Sequence, residues 1–477
     1  MKPRLIARQR ECNQLTESLT SDRSEFIIVC GRRRIGKTYL INQFFKGKFD
    51  FCFVGMHKAK TVVQLRNFGR MLKQYSGKNI GALTDWYEAF FALREYLELL
   101  PKNRKKIIFI DEMPWIDTSR SLFVNALEDF WNSWANLRND IVLIASGSAT
   151  SWIVDNLLDN QGGLHNRITR RLLLEPFTLG EVEEYLKYRD IHWVRYDILQ
   201  CYMMTGGIPF YLSLLNPKLS VAQNIDELCF TKNGALRNEF FELYPALFVH
   251  ADNYIKIVTL LYQNKNGLTR SEITQRTNLN GTSLTTILKN LEQCDFISKI
   301  ETFEKETVNV YKLTDFYTIF YFKFIEKNNC CDSQWWIHNL NDTSVRAWQG
   351  LCFERICFNH SQQIKKALGI LGMGTKISTW KCNADKENNT QGAQIDMLIK
   401  RNDKIIHLCE IKFSEKPYNL TTDYETKLRT RMSIFESKTK NKLTLVNTFI
   451  TTFGLVNKRN HSIVHSEVTI DDIFNTI

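Results

Sequence analysis

Residues 26–31 read FIIVCG, a short apolar and largely β-branched run that stops at a glycine. GRRRIGKT (Gly31–Thr38) follows at once, and then KTYLINQFF, where Leu40, Ile41, Phe44 and Phe45 recur at helical spacing. Strand, glycine-bounded loop and helix therefore come in immediate succession. An all-apolar strand belongs in a parallel sheet covered on both faces. The glycines allow backbone angles that turn several N–H groups toward one point, which makes an anion nest. The helix adds the positive end of its dipole. GRRRIGKT fits G-x-x-x-x-G-K-[ST] position for position in the context that motif needs, so the loop reads as a phosphate cradle. Lys37 would reach the β- and γ-phosphates of a nucleotide and the Thr38 hydroxyl would hold Mg²⁺. Arg32, Arg33 and Arg34 fill the variable positions. Their backbone is expected to line the phosphates while their side chains point outward.

The same alternation continues downstream. FDFCFVG (49–55) reads as a second strand, 61–100 as a helical region, KIIFIDE (106–112) as a third strand, and IVLIASGS (141–148) as a fourth after the helix LFVNALEDFWNSWAN. Strands alternating with helices imply βαβ units. KIIFIDE ends in two acids at the edge where ligands bind in such sheets. Asp111 is expected to hold Mg²⁺ through water, and Glu112 to orient or deprotonate the attacking water.

From about Leu179 the pattern is helical, interrupted by TGGIPFYL (205–212). Residues 252–325 give three helices and an alternating hairpin, the signature of a winged helix. Its third helix offers Thr282, Ser283, Thr285, Thr286 and Lys289 to a groove. After about Ser344 come a helix and the strands KISTWKC, AQIDMLIKR, KIIHLCEIKF and KLTLVNTFITT, with one helix near 424–437. No internal repeat is evident, and the loose stretch is NADKENNT (383–390).

Bulk properties exclude several classes. A chain of 477 residues with 44% hydrophobic and 24% charged residues is neither disordered nor fibrous. No window is apolar enough for a membrane span and the N-terminus has no secretory apolar region, so a cytoplasmic protein is expected. Of the 12 cysteines, Cys30, Cys52, Cys229, Cys352 and Cys409 sit inside apolar runs, and none has zinc spacing, which predicts reduced thiols. A net charge of +12 suits a polyanionic partner such as nucleic acid, although the basic residues are spread over the whole chain.

With these motifs in place, residues 1–245 resemble the AAA+/STAND superfamily of P-loop ATPases. GRRRIGKT looks like its Walker A and IIFIDE its Walker B. LIASGSA looks like the strand with a polar sensor, here Ser146 or Ser148. GGLHNRITRR resembles the arginine-bearing stretch that follows, where Arg167 falls and Arg170 and Arg171 compete with it. TGGIPFYL resembles the GG-x-P turn of a prokaryotic branch. The resemblance implies ATP contacts from Gly31, Arg32, Arg33, Arg34, Ile35, Gly36, Lys37, Thr38, Tyr39 and Ser146, and metal contacts from Thr38 and Asp111. Catalytic roles fall to Glu112 and Arg167. An arginine acting in trans implies a homo-oligomer on ATP binding.

A second motif lies near the C-terminus. HLCEIKF places Glu410 and Lys412 two apart, so both project from one face of a strand. Asp396 sits mid-strand among apolar neighbours, where a carboxylate is costly unless paired or metal-bound. Residues 344–450 resemble the PD-(D/E)XK nuclease-like superfamily, with Ile395 where its name has proline. That resemblance implies catalytic roles for Asp396, Glu410 and Lys412, with Glu354 as an added helical acid, and Mg²⁺ or Mn²⁺ on Asp396 and Glu410.

The expected fold class is α/β: a P-loop parallel-sheet ATPase core (1–178), a helical lid (179–250), a winged helix (251–326) and a C-terminal restriction-endonuclease-like domain (344–477). Together they resemble one prokaryotic ATPase family, and that resemblance implies ATP hydrolysis more firmly than DNA cleavage. The expected function is an Mg-ATP hydrolase coupling nucleotide state to DNA handling. The alternative is an ATP-dependent regulatory switch whose C-terminal domain is a non-catalytic binding module. The lid and extra domains argue against a nucleoside kinase. FYTIFYFKFI (316–325) and QWWIHNL (334–340) read as packing rather than base-stacking surfaces. His57, His165 and His407 have no ligand partner in sequence and receive no role.

Overall fold

The computed structural model describes the chain except residues 1–4, 149, 154–155, 158–162, 165, 249, 302, 304–308, 329–331, 385–391, 457–461 and 477. His165, part of GGLHNRITRR, Cys330-Cys331 and most of NADKENNT lie outside the described residues. Two compact units form. The first comprises residues 1–176, 245–249 and 289–294, and the second comprises 177–244, 250–288 and 295–477.

The first unit runs α1 (Gln9–Thr20), β1 (Glu25–Cys30), α2 (Lys37–Phe44), β2 (Phe51–Val54), α3 (Thr61–Ser76), α4 (Trp86–Glu98), β3 (Lys106–Asp111), α5 (Phe123–Ser133), β4 (Ile141–Ser146), α6 (Thr150–Ile153) and β5 (Arg170–Leu173). The strands make one parallel sheet in the order β2-β3-β4-β1-β5. Every residue of β1, β3 and β4 is buried, as continuous apolar runs in a doubly covered sheet require. One face packs Phe53 against Phe68, with ring centroids 5.1 Å apart, and α4 and α5 meet where Trp86 lies edge-on to Phe123 at 5.0 Å.

Two features of this unit depart from the sequence expectation. The 61–100 helical region is two helices. Gly77 ends α3 in the left-handed conformation (φ 68), and the Asp85 side chain caps α4 by accepting from the Glu88 N–H. A fifth strand, β5, pairs parallel to β1 through Arg170 and Arg171, whose charged run gave no strand signal.

The second unit begins with helices α7 (Leu179–Tyr188), α8 (Arg195–Thr205), α9 (Pro209–Ser213), α10 (Val221–Ile225) and α11 (Glu239–Leu247). Next come α12 (Ala251–Gln263), β6 (Leu268–Thr269), α13 (Arg270–Thr277), α14 (Gly281–Gln293), β7 (Ile297–Glu301) and β8 (Asn309–Leu313). Thr269 caps α13 in a reciprocal box with Glu272. β6, β8 and β7 form a small antiparallel sheet, so three helices and a hairpin occur in the expected order.

The chain continues through α15 (Phe316–Phe320), α16 (Trp335–Asn339), α17 (Thr343–Asn359), α18 (Ser361–Ala367), β9 (Thr375–Cys382), β10 (Ala393–Arg401), β11 (Ile405–Lys412), α19 (Thr422–Thr439), β12 (Thr444–Thr451), β13 (Ser466–Val468) and α20 (Ile470–Ile473). Their sheet has the order β13-β12-β11-β10-β9. It is antiparallel from β9 to β11 and parallel beyond. The β9–β10 register shifts between Ile395 and Leu398, a bulge that brackets Asp396. The aromatic runs pack as a core: Trp336 and Trp348 meet edge-on at 5.6 Å, and Phe320 and Phe324 pack on both. The β7–β8 hairpin docks on β9. The Phe303 N–H donates to the Thr379 carbonyl at 3.3 Å, its ring packs 5.1 Å from Phe435, and Glu301 pairs with Lys376 at 2.5 Å.

Candidate functional site

The loop after β1 owes its path to two glycines. Gly31 has φ 143, and a Cβ there would stand 2.4 Å from the Leu174 carbonyl oxygen. Gly36, at φ 89, turns the chain into α2. The loop runs so close to the chain beyond β5 that Arg32 is enclosed, with only 2% of its surface exposed. The expectation that all three arginines point outward is therefore corrected at Arg32, while Arg33 and Arg34 are half-buried. Ile35 is buried and Tyr39 is exposed.

Lys37 is buried. Its ammonium donates to the carbonyls of Gly31 at 2.9 Å and Arg32 at 3.0 Å. Burial pulls its pKa below the ordinary lysine value, against the opposing pull of Glu112 and Asp111. The lysine thus spans its own loop from inside, with donors where phosphate oxygens would compete with carbonyls.

Sheet order explains how the polar groups converge. β4 lies between β1 and β3, so the carboxyl ends of three adjacent strands present Thr38, Ser146 and Asp111 together. The Thr38 hydroxyl donates to Asp111 Oδ2 at 2.8 Å, and the Ser146 hydroxyl donates to Asp111 Oδ1. A hydroxyl beside a carboxylate at this separation is a donor set that suits Mg²⁺, which takes few protein oxygens and fills its shell with phosphate and water.

Glu112 leaves the strand in the left-handed conformation (φ 47), so its side chain does not follow that of Asp111. Ser148 holds it: the Ser148 N–H donates to Oε2 at 3.1 Å, and the hydroxyl lies 2.9 Å from Oε1 and 2.7 Å from Oε2. The two serines divide between the acids, Ser146 beside Asp111 and Ser148 beside Glu112. Arg8, which the sequence did not single out, donates to the carbonyls of Glu175 at 2.7 Å and Ile35 at 3.5 Å, and so ties the loop to the chain after β5. A lone arginine before a helix carries no signal of such a contact.

Among the arginines, Arg170 is committed to Glu17 at 2.8 Å. Arg167 is exposed, and its guanidinium makes no hydrogen bond or ion pair among the described residues.

In the second unit, Glu354 on α17, Asp396 on β10, and Glu410 and Lys412 on β11 form one electrostatic cluster. Glu410 is 2% exposed. Its Oε1 accepts from the Lys412 ammonium at 2.7 Å and from the Tyr424 hydroxyl, and its Oε2 accepts from Arg431. Burial is the largest influence on Glu410 and pushes its pKa up, but Arg431, Lys412 and Tyr424 together hold it below the usual carboxylate value. Burial and the neighbouring Glu410 raise Asp396. Burial, then Asp396, pushes Glu354 up to about 7.

Tyr424, Leu428, Arg431 and Phe435 recur at helical spacing on α19, and Leu428 and Phe435 are buried. Lys312, on β8, is a further cation acting on Glu354 and Asp396.

The second cluster does not fit a divalent ion as it stands. Both Glu410 oxygens are engaged by cationic or hydroxyl donors, and among the described residues no three His, Cys, Asp or Glu side chains converge to hold a metal. At Glu410 the expected Mg²⁺ or Mn²⁺ would have to displace Lys412, Arg431 and Tyr424, the internal donors that balance its buried charge. His407 is likewise internal, with Nδ1 2.9 Å from the Thr448 hydroxyl.

Residues 5–215 match a family described as an ATPase domain predominantly from Archaea. An uncharacterized protein of Methanocaldococcus jannaschii is 25% identical over 421 residues, covering 86% of this chain and 88% of that one. Among solved structures, the Walker-type ATPase PABY2304 of Pyrococcus abyssi aligns with TM-score 0.44 and 18% identity over 66% of this chain and 95% of that chain. The ORC2 protein of Aeropyrum pernix aligns with TM-score 0.43 and 15% identity over 65% and 90%. No described helix is long and apolar enough to cross a membrane.

Proposed function

We propose that the chain binds and hydrolyses Mg-ATP in the loop between β1 and α2 and couples nucleotide state to DNA handling by the second unit. The observation that carries the ATPase reading is the meeting of Thr38, Asp111 and Ser146 beside a buried Lys37. The backbone of Gly31–Gly36 would cradle the phosphates, and Lys37 would exchange its two carbonyl partners for phosphate oxygens. Thr38 and Asp111 would hold Mg²⁺, which neutralises charge on the β- and γ-phosphates when bound. Glu112, aimed by Ser148, would orient a water and accept its proton. Arg167 would reach the phosphates of a neighbouring copy, in an oligomer formed on ATP.

DNA handling rests on residues 251–326 as a winged helix and on the net charge of +12. The test is steady-state ATP hydrolysis by wild type, Lys37→Ala and Glu112→Gln, with and without duplex DNA. Turnover unchanged in both variants overturns the ATPase reading, and turnover indifferent to DNA overturns the coupling.

One observation favours a second reading of residues 344–477. With Glu410 saturated by Lys412, Arg431 and Tyr424, the nuclease-like domain serves as a binding module in a nucleotide-dependent switch. Mn²⁺-dependent nicking of DNA that disappears in Asp396→Ala would restore the nuclease reading.

A further inference from the structure

The second unit holds a cavity of about 80 Å³ between α12, β8, α15 and α17. Three of its lining residues are cations: Lys265, Lys323 and Arg355. A second, more open space of about 300 Å³ shares Lys323 and Ser344 with it and adds Lys327. No carboxylate lines either space among the described residues.

The three lysines converge on these spaces without a carboxylate among them. None forms an ion pair among the described residues, although ion pairs are common elsewhere in the unit. Burial, Lys327 and Lys265 all disfavour the charged form of Lys323, and the helix-capping Asp342 opposes them. Arg355 donates to the Leu351 carbonyl at 3.2 Å and also acts on Cys352 and Glu354. Trp348 lines the smaller cavity and is 4% exposed, and its indole N–H has no acceptor among the described residues. The polar lining is therefore rich in donors, and a buried indole N–H without an acceptor costs stability unless something supplies one.

The remaining walls are apolar or aromatic, with Tyr262 and Leu313 on one side and Phe324 and Trp335 in the adjoining space. A bare inorganic ion would use the cations and leave those walls unused. A cavity this size exceeds one water several-fold, by the roughly 10–15 Å³ that one water requires.

We infer that Lys265, Lys323, Lys327, Arg355, Ser344 and Trp348 form a binding site for an organic phosphate, a phosphoryl group carried on a flat apolar body such as a nucleobase. The cations and the two neutral donors take the phosphate oxygens, and the aromatic walls take the ring. The phosphate has two possible sources, a free mononucleotide or one unit of a single strand, and the site chemistry is common to both.

The test is isothermal titration calorimetry on the full chain carrying Lys37→Ala, so that heat does not come from the β1–α2 loop. Thymidine 5′-monophosphate, thymidine, inorganic phosphate and a short thymidine single strand are the probes. The site predicts that the monophosphate binds more tightly than either thymidine or phosphate alone. The pair Lys265→Gln and Lys323→Gln should weaken it by at least about tenfold, the scale of one lost charge-assisted bond. Trp348→Phe, which keeps a ring and removes the donor, should weaken it less.

A strand that binds more tightly than the monophosphate identifies the strand as the source, and equal or weaker binding identifies the free nucleotide. If no phosphate ligand binds, if inorganic phosphate binds as well as the monophosphate, or if the lysine pair changes nothing, the site is refuted. Lys323→Arg guards against a folding artefact, because it keeps the charge and should retain binding.

Discussion

At Glu112 a single residue carries three features: a left-handed backbone, a carboxylate one position beyond Asp111, and a serine holding that carboxylate. Such a backbone in a non-glycine residue is sparsely populated and recurs at functional positions. Glu112→Gln should leave ATP binding intact and lower turnover by at least about 100-fold, the usual scale for a positioned base; binding by a fluorescent ATP analogue and phosphate release check the two halves. Ser148→Ala should give a smaller loss of turnover with unchanged nucleotide affinity. Glu354 gives a pH signature. Its folded pKa, about 7, exceeds the ordinary 4.5, so ionising it in the folded state is penalised. Its contribution to stability is full below about pH 4.5 and is lost as pH rises through 7. Glu354→Gln should therefore melt higher than wild type at pH 8 and show no such gain near pH 4.5, as read by thermal denaturation at both. Among these residues, Asp111 and Glu112 were legible because a hydrophobic strand ending in two acids is a local pattern. The partition of Ser146 and Ser148 between them was not, because it depends on which strand inserts between β1 and β3.

At the scale of elements, the β1–α2 loop and α19 make opposite points. Gly31→Ala places a Cβ against a backbone oxygen that cannot move aside and forces an unfavourable φ. It should cost about 1–3 kcal/mol, seen as a lowered melting temperature together with weakened ATP binding. The loop's path was readable, though not the enclosure of Arg32, because glycine spacing and a following amphipathic run are written in consecutive residues. Helix α19 was readable as a helix but not as the supplier of Arg431 and Tyr424 to Glu410, since neither its charge pattern nor its length says which face meets the sheet. Arg431→Ala leaves Glu410 buried beside one fewer cation. Such losses run to about 3–5 kcal/mol, and adding Glu410→Gln should recover part of it in a double-mutant cycle. Strand β5 was not legible for the complementary reason: consecutive arginines read as solvated charge, and only pairing with β1 makes them a strand.

For the whole molecule, the exposed Arg167 makes a concentration-dependent prediction. If a neighbouring copy supplies the arginine, wild-type turnover per molecule rises with protein concentration in the presence of ATP, and Arg167→Ala flattens that rise without changing ATP affinity. Sedimentation with and without a non-hydrolysable ATP analogue gives the independent check. The order of the elements along the chain was legible, because the period of the apolar pattern changes from parallel strands to helices and then to a mixed sheet. Its grouping into two compact units was not, since that depends on contacts distant in sequence.

The small hairpin of the second unit is held where β7 ends: Phe303 is wedged beside Phe435, and Glu301 is clasped by Lys376. Pulling it away would strip an aromatic ring from its pocket and leave a sheet edge bare. The hairpin and the sheet that carries the acids of β10 and β11 are thereby joined as on a ruler, by packing rather than by slack chain.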